Sequence, residues 1–145
     1  MDIYTKNFIE SHIKQINNNK WESIALDLDT TLGTKFVGEF VRIIRDTLGV
    51  EIAEHIDYIP SGYFYDDNKL ERYNLSLNKT YIGSMAFKNC TNLKYVYIPK
   101  NCKEIDFAAF ADCPNLEEIE FESINSTILE DSWYVNCPKL KVKGI

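Results

Sequence analysis

The chain has 145 residues, the length of one ordinary domain, and 45% of them are hydrophobic. A chain of this size and composition is expected to bury its own core, which excludes a disordered tail and a collagen-like repeat. Sixteen Lys and Arg against 22 Asp and Glu give a formal net charge of −6, which disfavours direct binding of nucleic acid. No apolar run approaches the roughly 18 residues of a membrane span, and residues 1–20 are too polar for a signal peptide. We therefore expect a cytoplasmic protein with no direct nucleic-acid or membrane partner.

The first 49 residues are predicted to form two helices with a strand between them. An apolar stripe that ends at the asparagine run 17–19 indicates the first helix: Tyr4, Phe8, Ile9, Ile13 and Ile16. Residues 24–29, with the sequence Ile-Ala-Leu-Asp-Leu-Asp, alternate as a strand does. A second stripe, closed by Gly49, predicts the second helix: Phe36, Val37, Phe40, Val41, Ile44 and Leu48.

The run Asp27-Leu-Asp29-Thr-Thr31-Leu32 is similar to the first motif of haloacid dehalogenase-like phosphatases. The resemblance implies Asp27 as nucleophile and Asp29 as acid/base, with Mg²⁺ between them. The remainder of such a site is missing, and two acids on the polar face of a strand before a helix start explain the run more simply. The sequence also has no phosphate-binding glycine loop and no G-x-S-x-G motif. We therefore expect no enzyme and no cofactor, and keep the phosphatase as a third hypothesis.

Three of the four cysteines recur at nearly constant intervals. Cys113 follows Cys90 by 23 residues, and Cys137 follows Cys113 by 24. No C-x-x-C occurs and neither histidine lies at a ligand-like spacing from a cysteine, so a zinc site is not favoured. Recurrence at this period instead indicates a repeat that buries one cysteine per turn.

The apolar residues recur with the same period. Six positions coincide between two consecutive turns: Ile82, Phe87, Cys90, Leu93, Val96 and Ile98 in one, and Ile105, Phe110, Cys113, Leu116, Ile119 and Phe121 in the next. A later, weaker copy contains Leu129, Tyr134, Cys137, Leu140 and Ile145, with Lys143 where an apolar residue is expected. An earlier, weaker copy contains Ile59, Phe64, Leu70, Tyr73 and Leu75, with Asp67 at the cysteine position. Val50 and Ile52 are predicted as the remnant of a strand before it.

The shared pattern, I-x-x-x-A-F-x-x-C-x-x-L-x-x-V-x-I-P, closely resembles the BspA-type leucine-rich repeats over about the last 95 residues. Glu122, where the pattern has proline, departs from it together with Asp67 and Lys143. The resemblance implies an α+β fold, a short leucine-rich-repeat solenoid of about 3–4 repeats of 23–24 residues with parallel strands. A solenoid needs a cap over its first turn, so we expect residues 1–49 to form an N-terminal α/β cap and residues 50–145 the repeats.

The strands of the predicted sheet point alternate side chains outward. In the best-defined repeat, Val96 and Ile98 are expected to be buried and Tyr95 and Tyr97 exposed. One exposed column is predicted to hold Arg72, Tyr95, Glu118 and Val142, and the next Asn74, Tyr97, Glu120 and Gly144. With the flanking Lys94 and Glu117, the predicted partner-binding residues are Arg72, Asn74, Lys94, Tyr95, Tyr97, Glu117, Glu118 and Glu120.

Residues 104–138 contain nine acids and no Lys or Arg. Two interpretations stay open: a solvated face that keeps the protein soluble, or a binding surface. Our first hypothesis is a non-catalytic protein-protein interaction module, an inhibitor or adaptor of phage or mobile-element type acting on a basic, nucleic-acid-handling enzyme. The second is a self-associating structural or adhesion repeat protein, a homodimer through the C-terminal end of the solenoid. The resemblance implies adhesion because BspA-type repeats are usually found in secreted surface proteins that bind host or matrix proteins.

Overall fold

Three helices precede a solenoid of parallel strands. The structure, a computed structural model, describes residues 3–144, without the side chains of Tyr4 and Thr5. The helices are α1 (Ile3–Asn17), α2 (Trp21–Thr30) and α3 (Thr34–Leu48), followed by a 3₁₀ helix at Ile52–His55. The two helices predicted from apolar stripes, α1 and α3, are confirmed, and α3 ends as expected at Gly49 in the left-handed conformation.

The rest of the described chain winds into stacked turns. Its strands are β1 (Arg72–Asn74), β2 (Tyr81–Ile82), β3 (Tyr95–Ile98), β4 (Glu104–Ile105), β5 (Phe110–Ala111), β6 (Glu118–Phe121), β7 (Ile128–Leu129), β8 (Tyr134–Val135) and β9 (Lys141–Lys143). They form three parallel sheets with the orders β1-β3-β6-β9, β2-β4-β7 and β5-β8. Every pairing joins equivalent positions of consecutive turns, such as Tyr73 with Val96 and Val96 with Ile119. The predicted leucine-rich-repeat solenoid with a helical cap is confirmed.

Identical side chains stack on one another inside the solenoid. The rings of Phe64, Phe87 and Phe110 are stacked, with centroid separations of 5.0 Å and 4.8 Å. The thiols form a parallel column, in which Cys90 donates to the carbonyl of Phe64 and Cys113 to that of Phe87, both at 3.1 Å. Each turn therefore buries its apolar residues against its neighbours rather than within itself.

The prediction of a strand at residues 24–29 is wrong, because these residues belong to α2. Ile24, Ala25 and Leu28 are buried at helical spacing, whereas Leu26 is 61% exposed. Over six residues the apolar-polar alternation is compatible with a helix as well as with a strand, and packing against α1 selects the helix. The cap is accordingly helical, without the predicted strand.

The strand remnant predicted at Val50 and Ile52 is also wrong. Ile52 begins the 3₁₀ helix and is fully buried with Ala53. The backbone N–H of Ala53 donates to the hydroxyl of Tyr63 at 2.8 Å, and that hydroxyl donates to the carboxylate of Glu51. These hydrogen bonds join residues 51–53 to Tyr63 of the first solenoid turn. Residues 50–55 therefore connect the cap to the solenoid and do not form a further repeat.

In the last turn the strand is displaced by one residue from the prediction. β9 pairs Lys141 with Glu118, Val142 with Ile119 and Lys143 with Glu120. Two residues separate Leu116 from Ile119 but only one separates Leu140 from Val142, so the repeat is one residue shorter here. Val142 therefore faces the core, and lysines replace the predicted Val142 and Gly144 in the exposed columns. The predicted role of Ile145 lies outside the described residues.

Candidate protein-binding face

The candidate site is the outward side of the sheet β1-β3-β6-β9, which we name the strand face. Along β3 and β6 the side chains alternate between partly exposed and buried, so that Val96 and Ile119 are fully buried. The predicted exposure of Tyr95 and Tyr97 is confirmed, since both are partly exposed. Parallel pairing places Arg72, Tyr95 and Glu118 in one row, and Asn74, Tyr97 and Glu120 in another.

Tyr95 is held at the centre of this face by two neighbours. The guanidinium of Arg72 lies 4.0 Å from the centroid of its ring, a cation–π contact. Its hydroxyl donates to Oε1 of Glu120 on the next turn at 2.6 Å, and this bond above all raises the pKa of Tyr95 to about 12. Tyr97 has a raised pKa through burial and the charges of Glu122 and Glu120. Both phenols are neutral and able to donate hydrogen bonds at neutral pH.

Lysines that the repeat pattern did not predict as binding residues complete the face. Lys143 pairs with Glu118 at 2.7 Å, and the pKa of Lys143 is raised by this bond. Lys139 donates to Oδ1 of Asn115 at 3.0 Å. The signal that would have found Lys141 and Lys143 is the short spacing between Leu140 and Val142.

A shallow cleft of about 770 Å³ crosses the start of these strands. Two of the predicted residues line it as acids, Glu117 and Glu118, together with Tyr95. We name it the lysine cleft because five cationic residues line it: Arg72, Lys94, Lys139, Lys141 and Lys143. The cleft thus has an excess of positive charge in a chain whose formal net charge is −6. Asn74, Tyr97 and Glu120 lie beyond it along the strands.

The acidic stretch 104–138 does not form one face. Glu104 belongs to the sheet β2-β4-β7, whereas Glu118 and Glu120 lie on the strand face. Asp112 follows β5, in the third sheet, and accepts a hydrogen bond from the amide of Asn136 at 2.8 Å. The winding of the chain therefore distributes over three sides the charges that the sequence places next to one another.

Asp27 and Asp29 lie within α2 and have separate partners. Oδ2 of Asp27 is 2.6 Å from Nε2 of the buried His12 on α1. Oδ2 of Asp29 accepts a hydrogen bond of 2.5 Å from the hydroxyl of Tyr58, which stacks on Tyr81. The phosphatase motif has its first acid at the end of a strand, whereas Asp27 lies inside a helix. Both acids join the cap helices to their surroundings.

Two further observations concern the described part of the chain. Between residues 3 and 144, no three His, Cys, Asp or Glu side chains are grouped so that they could hold a metal ion. None of the helices there combines the length and the apolar character that crossing a membrane requires.

The stacked turns and the helical cap define a leucine-rich-repeat solenoid, a class whose regular surface indicates a protein-interaction module and is typically non-catalytic. Residues 47–141 match the family described as "BspA type Leucine rich repeat region (6 copies)". The match covers more than half of the chain, which therefore belongs to this family. No curated protein and no solved structure matches the chain.

Proposed function

We propose that this protein is a non-catalytic module that binds a protein partner through its strand face. The observation that carries the proposal is the row of Arg72, Tyr95 and Glu118 on adjacent parallel strands, with Tyr95 oriented by Arg72 and Glu120. Tyrosine and arginine dominate the binding energy of many interfaces, and a tyrosine held in place loses little entropy on binding.

The test is affinity capture from lysate with quantitative mass spectrometry, comparing wild type with Tyr95→Ala/Glu118→Ala. A matched control exists on the sheet β2-β4-β7, where Tyr81 and Glu104 are paired on adjacent parallel strands in the same way. We expect the strand-face variant to lose about tenfold or more of its bound partner, and Tyr81→Ala/Glu104→Ala to retain it. Circular dichroism confirms that both variants are folded.

Equal retention by both variants would remove the strand face as the binding site. Equal loss from both would assign the effect to stability, because Tyr81 also packs on Tyr58. Only a loss confined to Tyr95→Ala/Glu118→Ala supports the proposal.

A narrower hypothesis makes the protein an inhibitor or adaptor of phage or mobile-element type for a basic, nucleic-acid-handling enzyme. It rests on the acids of residues 104–138, of which Glu117, Glu118, Glu120 and Glu122 lie on or beside the strand face. Replacing these four by Gln is then expected to weaken partner binding and to flatten its salt dependence. Unchanged affinity would remove this hypothesis and leave the wider proposal intact.

Self-association is a second candidate, which the exposed apolar residues of the last described turns favour. Ile128 is 63% exposed, Tyr134 42% and Val135 40%. Sedimentation velocity at tens of micromolar tests it, with Ile128→Lys expected to dissociate a dimer. Leu77→Lys is the control, because Leu77 is 67% exposed elsewhere on the solenoid. A monomeric wild type would rule the candidate out at that concentration.

The division into a cap at residues 1–49 and repeats at 50–145 stays a proposal. The hydrogen bond of Arg42 Nη1 to the carbonyl of Tyr65, at 2.5 Å, joins the two parts. Expression of residues 50–145 alone tests the division: a cooperative thermal transition would support two domains, and an unfolded product would indicate one.

A further inference from the structure

The lysine cleft differs in charge from the molecule that contains it. Five cations and two glutamates line the cleft, although acids outnumber bases in the whole chain by 22 to 16. The cations come from three of the four turns that build the strand face, since Arg72, Lys94 and Lys141 precede or begin β1, β3 and β9. The turn of β6, between Lys94 and Lys141, contributes Glu117 and Glu118 to the cleft instead. A chain segment that crosses the turns therefore meets cations on either side of these two glutamates.

The charges in the cleft are unequally compensated. Lys143 is paired with Glu118, and Arg72 lies over the ring of Tyr95. The described residues offer no carboxylate within ion-pair distance of Lys94 or Lys141, and both lysines are exposed. These two ammonium groups are thus available to anionic groups of a partner, and the desolvation that pairing requires is small at such exposure.

We infer that the lysine cleft binds an extended, acidic segment of a protein partner. This inference rests on the proposed function and names the chemistry of its partner, which is opposite in sign to the basic partner that the acid count suggests. Carboxylates of the segment pair with Lys94 and Lys141, and a backbone carbonyl of the segment accepts from the hydroxyl of Tyr97, because the hydroxyl of Tyr95 already donates to Glu120.

Charge favours an acidic protein segment over nucleic acid. Glu117 and Glu118 line the same cleft, and Glu120 lies on the adjoining row of the strand face. A duplex carries about one negative charge per 1.7 Å along its axis and would meet these glutamates wherever it lay in the cleft. A peptide can place its few carboxylates at the lysines alone, with neutral residues opposite the glutamates.

The experiment selects phage-displayed random 12-residue peptides on the full-length protein. The selected peptides are then titrated by fluorescence anisotropy against wild type, Lys94→Glu/Lys141→Glu and the control Lys6→Glu/Lys14→Glu. The control makes the same change in net charge at two exposed lysines of α1. A random 12-nucleotide single strand and a 12-base-pair duplex are titrated in parallel.

We expect selected peptides with net negative charge, whose affinity falls about tenfold or more in Lys94→Glu/Lys141→Glu, falls with added NaCl, and changes less than about twofold in the control. Peptides enriched in Lys and Arg would overturn the inference, as would acidic peptides insensitive to the charge reversal. If no acidic peptide is selected, and nucleic acid binds wild type but binds Lys94→Glu/Lys141→Glu less tightly, the occupant of the cleft is nucleic acid and the inference is wrong. An empty selection would likewise overturn the inference.

These outcomes are separate from the test of the proposed function. If Tyr95→Ala/Glu118→Ala loses a captured partner but the selected peptides are basic, the strand face binds protein and only the sign of the partner is wrong. If Tyr95→Ala/Glu118→Ala retains its partner, the proposed function is wrong. Acidic peptides that bind the lysine cleft would then still support the inferred chemistry of the cleft, but not binding of the captured partner through the strand face.

Discussion

Two polar residues of the first turn occupy positions where the next turn has cysteine. Asp67 stands one repeat before Cys90, and Lys79 one repeat before Cys102. Both are almost fully buried, and both contact the cap side of the solenoid: Asp67 pairs with Arg45 at 3.2 Å, and Lys79 donates to the carbonyl of Ile56 at 2.8 Å. Cys90 donates to the carbonyl of Phe64 on the turn before it, whereas the first turn has the cap there instead.

Asp67→Ala is expected to lower the free energy of unfolding by about 2–4 kcal/mol, because Arg45 and two backbone N–H groups lose their acceptor. Asp67→Asn retains an acceptor for the N–H groups of Lys69 and Leu70 and is expected to lose less. Urea denaturation measures both. The neighbouring Asp66→Asn is the control, since asparagine tolerates the left-handed backbone of this position (φ 64°) and the ion pair that it removes, with Lys35, is long at 3.8 Å. Equal losses at positions 66 and 67 would contradict the assigned role.

Cys137 is expected to be the first thiol to react with iodoacetamide near neutral pH. It is only partly buried, and interaction with the neighbouring Cys113 thiol lowers the pKa of Cys137. The interaction with Cys137, together with burial, raises the pKa of Cys113, and burial raises the pKa of Cys90. Because the thiolate is the nucleophile, alkylation of Cys137 should level off at lower pH than alkylation of an unfolded control. Peptide mass spectrometry resolves the sites, and faster modification of Cys90 in the folded protein would refute the expectation.

Among the elements, α3 is placed by a close backbone approach to the first turn. A Cβ added at Gly38 would lie 2.6 Å from the carbonyl oxygen of Tyr65 and 3.0 Å from that of Gly62. The same carbonyl of Tyr65 accepts the hydrogen bond from Arg42. Glycine inside a helix is intrinsically unfavourable, so the contact with the solenoid explains its presence here.

Gly38→Ala is therefore expected to destabilise the protein by about 1–3 kcal/mol, although alanine favours a helix. Gly33→Ala is the matched change, because its added Cβ would meet only the side chain of Phe36 at 3.8 Å. Thermal unfolding followed by circular dichroism distinguishes them. A melting temperature raised by Gly38→Ala would show that α3 is free to move away from the first turn.

Along the column of stacked aromatic residues, burial is complete in the central turn and lower in the last turn. Phe87 is fully buried between Phe64 and Phe110, while Tyr134 at the equivalent position of the last turn is 42% exposed. Phe87→Ala is expected to reduce the free energy of unfolding by about 3–5 kcal/mol and Tyr134→Ala by about 1 kcal/mol or less. Urea denaturation tests the pair. Similar losses would mean that the last turn is packed as tightly as the centre.

At the scale of the whole molecule, burial keeps several tyrosine and cysteine side chains protonated to higher pH than in the unfolded chain. Burial raises the pKa of Tyr73 and of Tyr81 to about 12, and that of Cys102 to about 11. The unfolded chain ionises these groups from about pH 8.5 for cysteine and about pH 10 for tyrosine. Between those values and the raised pKa values the native state binds more protons than the unfolded state, so stability falls as pH rises.

The contribution of these groups to the free energy of unfolding is therefore expected to be constant below about pH 8.5. Above that pH it is expected to decline, up to about pH 12. Urea denaturation at pH 7.5, 9 and 10.5 measures the trend. Tyr73→Phe should flatten it, because this side chain is mostly buried and ionises only in the unfolded chain. Stability that is constant or rises over this range would contradict the assignment.

The repeat period and the alternation of side chains were accessible from the sequence. Each position of a turn contacts the position about 23 residues away, so the period alone predicts which side chains stack, as Phe64, Phe87 and Phe110 do. Strand alternation likewise predicts that Val96 is buried and Tyr95 exposed. Solenoid contacts follow from sequence because they join neighbouring turns in a constant register.

The one-residue shortening before Val142 is also present in the sequence, and it reverses which side chains of β9 face outward because side chains alternate with a period of two. Two features were decided only by the tertiary structure. Residues 24–29 fit a strand and a helix equally well, and their packing against α1 makes them helical. The lysine cleft then gathers charges from separate turns. Its sign differs from that of the chain because the solenoid, and not sequence proximity, determines which charges are neighbours.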